Sequence, residues 1–143
     1  MCDFGVGKIV KPGEVMKEQC GTPAYIAPEI LEDRGYEGFA VDIWSAGVVL
    51  YAMLYGSVPF KANDLAELQR HIISANYNLQ DCISKDARDL LKKLLQKDPV
   101  KRITVAGIRK HPWMKDAKDS VGLFTDAEKN YMKAEFIDGN RIN

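Results

Sequence analysis

DIWSAGVVLYAMLYG, residues 42–56, is the stretch on which the fold turns. Its apolar residues occupy nearly the whole circumference of a 3.6-residue helix, so the segment reads as a helix buried on every side. Asp42 reads as its N-cap and Gly56 as the residue that stops it. The longest apolar run within it, around residues 46–55, is too short to span a bilayer. Such a helix needs neighbours all round, and the rest of the chain has to supply them.

Working outward, GSVPF (56–60) reads as a loop, and NDLAELQRHIISANY (63–77) as an amphipathic helix with Leu65, Leu68, Ile72 and Ile73 on one face. SKDARDLLKKLLQ (84–96) reads as another, capped by Ser84, with Ala87, Leu90, Leu91, Leu94 and Leu95 turned inward and Asp98-Pro99 ending it. A short helix is expected at about 104–110, stopped near His111-Pro112. Thr125-Asp-Ala-Glu128 is a capping-box pattern that opens a last helix to about Phe136. Residues 3–29 form instead a long irregular segment punctuated by Gly5, Gly7, Pro12, Gly13, Gly21, Pro23 and Pro28. No strand is expected, and the chain reads as mainly α. The two amphipathic helices offer one stripe each, too few to encase 42–56. That implies a truncated chain, with part of the packing supplied from outside these residues.

Composition sets further bounds. The chain has 143 residues, 46% hydrophobic and 28% charged, with 20 Lys+Arg against 20 Asp+Glu. A balanced charge gives no field to hold nucleic acid or an anionic membrane. Cys2, Cys20 and Cys82 are scattered, without a CxxC pair, which favours free thiols in a reducing, cytoplasmic compartment over disulfides or zinc. His71 and His111 read as structural.

A series of short motifs runs along this framework. Asp3-Phe4-Gly5 is followed, after 21 intervening residues, by Ala27-Pro28-Glu29. Then come Asp42-Ile-Trp44-Ser-Ala-Gly47, Pro59-Phe60, Arg102 within KDPVKRIT, and His111-Pro112-Trp113. Each is weak alone; the order and spacing together are specific. They resemble the C-terminal lobe of a eukaryotic protein kinase, beginning at the DFG corner. The resemblance implies a helical C-terminal lobe preceded by a long activation segment. Residues 1–114 would be a partial kinase domain (activation segment 3–29, helical lobe 30–114), and 115–143 an extension with one amphipathic helix. The N-terminal lobe, the Gly-rich loop and the H-R-D catalytic loop with its base have no counterpart in this sequence, so the 143 residues alone are expected to be inactive.

What the resemblance implies for individual residues is specific. Asp3 would bind Mg²⁺, which bridges the phosphates of ATP. Glu29 would pair with Arg102, tying the activation segment to the helical core. Asp42 would hold the backbone of the catalytic loop. Thr22, in CGTPAYIAPE, would contact the substrate loop and the catalytic Asp and Lys, the pattern of serine/threonine kinases. Residues 6–21 hold no Ser, Thr or Tyr, and Glu18 stands where many relatives carry a phosphorylated Thr, so its carboxylate would substitute for the phosphate. CGTPxYxAPE with LYGSVPF and HPWM resembles the calcium/calmodulin-dependent and calcium-dependent group most. That implies protein substrates, and calmodulin or a calcium-binding regulatory domain as partner. FIDGNRIN does not complete an EF-hand loop. A second function stays open, a truncated pseudokinase-like binding module without catalysis, and the retained Asp3, Thr22 and Glu29 argue against it.

Overall fold

A computed structural model of the chain describes residues 15–16, 23–33 and 35–117. Asp3, Glu18, Thr22 and the helix expected at 125–136 lie outside these residues. The described part is mostly helical. Its first elements are a two-residue strand β1 (Val15–Met16), a 3-10 turn at Pro23–Tyr25, and a four-residue helix α1 (Pro28–Leu31). The strand β2 (Tyr36–Glu37) then leads into the long helix α2 (Gly38–Tyr55). Three further helices follow: α3 (Leu65–Ser74), α4 (Lys85–Leu94) and α5 (Val105–Arg109), before a last 3-10 turn at Pro112–Met114. β1 and β2 pair antiparallel, Val15 opposite Glu37 and Met16 opposite Tyr36. The sequence reading expected no strand; a two-residue ladder is too short to leave an alternating pattern.

The long helix departs from its expected form in two respects. It begins at Gly38 rather than after Asp42, because GFAV (38–41) offers no Pro or competing cap to stop it from joining the helix. Asp42 is therefore inside α2, not its N-cap. At 18 residues the helix is long and apolar enough to cross a membrane by length and composition alone, contrary to the expectation from residues 46–55. In this fold it serves as a core helix. Trp44 and Val48 are fully buried, with Ile43, Gly47 and Tyr51 beside them.

Nor is it buried all round. Phe39, Asp42, Ala46, Val49 and Met53, spaced three and four apart, form one exposed stripe, with Phe39 67% and Met53 77% accessible. Gly56 ends the helix in the left-handed conformation (φ 70°), and its N–H reaches the Ala52 carbonyl.

The flanking helices are capped largely as their sequences indicate. Asp64 accepts from the Glu67 N–H at 2.8 Å, Ser84 from Ala87 at 3.1 Å, and Thr104 from Gly107 at 3.2 Å. Ala87, Leu90, Leu91, Leu94 and Leu95 are all buried. In α3 Ile72 is fully buried and Leu68 packs on the core, but Leu65 is 55% exposed because it opens the helix at the rim. α4 lies against α2 at Gly47, where an added Cβ would come within 2.9 Å of Leu94 Cβ and 3.0 Å of Leu95 Cδ2. Gly47 is thus a close-approach position.

The core gathers Ala27, Ile30, Trp44, Val48, Tyr51, Phe60, Ile72, Leu91 and Leu95. Trp44 stacks on Phe60 at 5.6 Å between centroids, and Tyr77 sets its edge against Phe60 and Tyr51. Burial pushes the Tyr77 phenol up to about 12. Tyr51 and Tyr55 donate to the carbonyls of Asn78 and Gln80, which fastens the chain after α3 to α2. His111, also buried, accepts from the Trp113 N–H at Nδ1 and donates from Nε2 to Asp89 at 2.8 Å. That bond joins the C-terminal turn to α4, and the hydrogen bonds from Lys93 and His111 hold the Asp89 carboxyl below its ordinary range. His71 donates from Nδ1 to the Lys61 carbonyl, holding the loop that precedes α3.

Two outcomes follow from this packing. Gly47→Ala should cost about 1–3 kcal/mol of overpacking, since both neighbours are core leucines with nowhere to go. A lower urea midpoint of the helical signal would register it. The 143-residue chain should bind a hydrophobic dye through the exposed stripe of α2. Val49→Glu with Met53→Glu should remove most of that fluorescence; undiminished binding would place the dye elsewhere.

Candidate functional site

Glu29 sits in the first turn of α1, behind Pro28, whose ring suits the first helical position. It is 5% exposed. A buried carboxylate must be paired, and its partner comes from 73 residues away. After α4, Asp98 folds the chain over: its side chain accepts from Val100 N–H, and its carbonyl from Lys101 and Arg102 N–H. This turn points the Arg102 side chain, 1% exposed, back into the core.

A guanidinium has five N–H donors, and each has an acceptor here. Nη1 gives one to Glu29 Oε1 at 2.6 Å and one to the Ala40 carbonyl at 2.7 Å. Nη2 donates to Glu29 Oε2 at 2.9 Å and the Lys97 carbonyl at 3.2 Å, and Nε to the Gln96 carbonyl at 2.9 Å. The pair with Glu29 is bidentate. The guanidinium carbon also lies 5.2 Å from the centroid of the Trp44 ring. Nearby, Lys97 reaches Glu32 at 3.6 Å. Ser45 Oγ lies 3.0 Å from the Tyr25 carbonyl and 3.1 Å from that of Val41.

The structure thus brings Glu29 and Arg102 together and keeps Asp42 apart from them. Asp42 is exposed and makes no hydrogen bond or ion pair among the described residues; partial desolvation beside the apolar stripe pushes its carboxyl up. Asp3, Thr22 and Glu18 cannot be placed, since they fall outside the described residues. Among those residues no three His, Cys, Asp or Glu side chains converge to hold a metal. Sequence reasoning missed Ser45 and the stacking of Arg102 on Trp44. The only signal for either was the DIWS spacing, which carries no information about a carbonyl contributed from residue 25.

This is the helical lobe of a protein kinase fold, with α1 clamped by Arg102 against the first turn of its central helix. The profile of the family described as "Protein kinase domain" matches residues 1–114, and the chain belongs to that family. Among similar proteins, serine/threonine-protein kinase SIK1 of Rattus norvegicus is 44% identical over 114 residues, 80% of this chain and 15% of that protein. CBL-interacting protein kinase 1 of Oryza sativa subsp. japonica is 43% identical over 133 residues, 91% of this chain and 29% of its own length. CBL-interacting serine/threonine-protein kinase 5 of Arabidopsis thaliana is 42% identical over 118 residues, 79% and 26% respectively. The chain therefore spans less than a third of the length of these relatives.

The clamp is open to a direct thermodynamic test. Arg102→Ala orphans the buried Glu29 and should cost on the order of 3–5 kcal/mol of unfolding free energy. Glu29→Ala should cost a similar amount, and the double variant clearly less than the sum. Additive losses in denaturant unfolding would mean that the two side chains do not work as a pair.

Proposed function

We propose that the chain is the C-terminal-lobe portion of a serine/threonine protein kinase. The intact enzyme transfers the γ-phosphoryl group of Mg·ATP to Ser or Thr hydroxyls of cytoplasmic proteins. The observation that carries this reading is the Glu29–Arg102 clamp, which fixes the end of the segment 3–29 on the helical core. Identity of about 40% or more to proteins named as serine/threonine-protein kinases supports it.

In this reading Asp3 of the Asp-Phe-Gly motif binds magnesium and Thr22 contacts the substrate-binding loop. Asp42 anchors the catalytic-loop backbone across the exposed stripe of α2. CGTPAYIAPE supports serine/threonine over tyrosine specificity, and the LYGSVPF and HPWM stretches support the calcium-regulated group. A regulatory protein, calmodulin or a calcium-binding domain, is the partner of that subgroup reading. Some of the relatives carry "CBL-interacting" in their names.

Glu18 gives the reading its sharpest test. A carboxylate carries one charge against nearly two for phosphate, so its support of the activation segment is weaker but permanent. The full-length enzyme, expressed in bacteria and treated with phosphatase, should phosphorylate protein substrates without any upstream kinase. Glu18→Arg should lower kcat/KM at least about tenfold, about 1.4 kcal/mol in transition-state terms, with a smaller loss for Glu18→Asp. Dependence on phosphorylation within residues 6–21, or indifference to Glu18→Arg, would contradict it.

A further inference from the structure

Ser45 has a feature that its place in a helix does not require. A serine inside a helix commonly turns its hydroxyl back to the carbonyl four residues earlier, here Val41 at 3.1 Å. The same oxygen lies slightly closer, 3.0 Å, to the carbonyl of Tyr25, twenty residues away and in a different element. One proton therefore serves two acceptors, and the second belongs to the 3-10 turn Pro23–Tyr25. That turn packs on both α2 and α3 and begins at the residue after Thr22.

We propose that Ser45 is a positioning residue for the substrate-contact loop. Its hydroxyl holds the Tyr25 carbonyl on the central helix and so fixes the turn Pro23–Tyr25, which follows Thr22 in the sequence. The proposal deepens the kinase reading and rests on it, since it takes Thr22 as the residue that meets the substrate loop. The geometry supplies the reason that this position matters. Downstream, the segment is clamped at Glu29 by Arg102 and buried at Ala27, which is 1% exposed. Between that clamp and Thr22, the Ser45 hydroxyl is the side-chain donor that the described residues give to the backbone. Misplacement of a substrate-positioning group by ~1 Å can cost ~100-fold in rate.

Two experiments test the role. Alanine favours helix, so Ser45→Ala should leave α2 formed. A threonine keeps an oxygen able to reach the same carbonyls, so Ser45→Thr is the conservative control. In the 143-residue chain, Ser45→Ala should speed backbone amide exchange at residues 24–27 and leave Leu91 and Leu94 in α4 protected. Ser45→Thr should restore the slow exchange.

In the full-length kinase, Ser45→Ala should raise the KM for a peptide substrate about tenfold, with the KM for ATP unchanged and Ser45→Thr close to wild type. Unchanged exchange in Ser45→Ala, or a parallel change in both KM values, would overturn the role even in an active kinase. A wild-type enzyme without phosphotransferase activity would overturn the kinase reading and the positioning role with it. The exchange arm would still report whether the hydroxyl pins the turn.

Discussion

Arg102 gives all five of its N–H donors to acceptors, and the arrangement of the lobe depends on that. Only one acceptor group, the Glu29 carboxylate, is a side chain; the others are the main-chain carbonyls of Ala40, Gln96 and Lys97. The clamp therefore fixes backbone positions of α1, the first turn of α2 and the turn after α4, and leaves the side chains at 40, 96 and 97 free to vary. A lysine could not do this, because an ammonium has three donors and no planar fork. Removing two charges from water makes such a pair a poor source of net stability. What it supplies is register, since a one-residue shift of α1 or of the turn after α4 would strand a buried charge, and a shift of α2 would leave a guanidinium N–H without the Ala40 carbonyl.

The same logic explains the tolerance of an imperfection beside it. Trp44 is fully buried, and its indole N–H is without a hydrogen-bond partner among the described residues. An unsatisfied buried donor costs about 1–3 kcal/mol. Burying an indole of ~150–250 Å² is worth roughly 4–6 kcal/mol, before the Phe60 stack and the guanidinium over the ring are added. The area term outweighs the orphan N–H, so the tryptophan remains where its shape is needed.

What could be read from the sequence follows the range of the interaction involved. The cap at Ser84 and the inward leucines of α4 are local patterns, and they were legible. The start of α2 was not. Asp42 has the chemistry of a cap, but nothing in GFAV prevents a helix, and β2 delivers the chain at Gly38. The β1–β2 pairing brings together residues too few to show a period. The exposed stripe was hidden for a related reason. Apolar residues on all sides of a helix say that it prefers burial, not which side the described residues bury. Ser45 lay beyond the sequence altogether, because its partner is a main-chain carbonyl and main-chain atoms leave no trace in residue identity.

That stripe also places Asp42 in an unusual setting. A carboxylate flanked by Phe39, Val49 and Met53 reverses the pattern of a surface helix, where apolar groups turn inward and charges outward. Exposed as it is, its pKa is raised by desolvation, so the ionised form is disfavoured relative to water. Backbone N–H groups laid across the stripe would remove that penalty while covering the three apolar side chains. In the kinase reading proposed above, the catalytic loop would be that segment. The buried face of α2 organises the lobe through Arg102, and its exposed face carries Asp42 among apolar side chains.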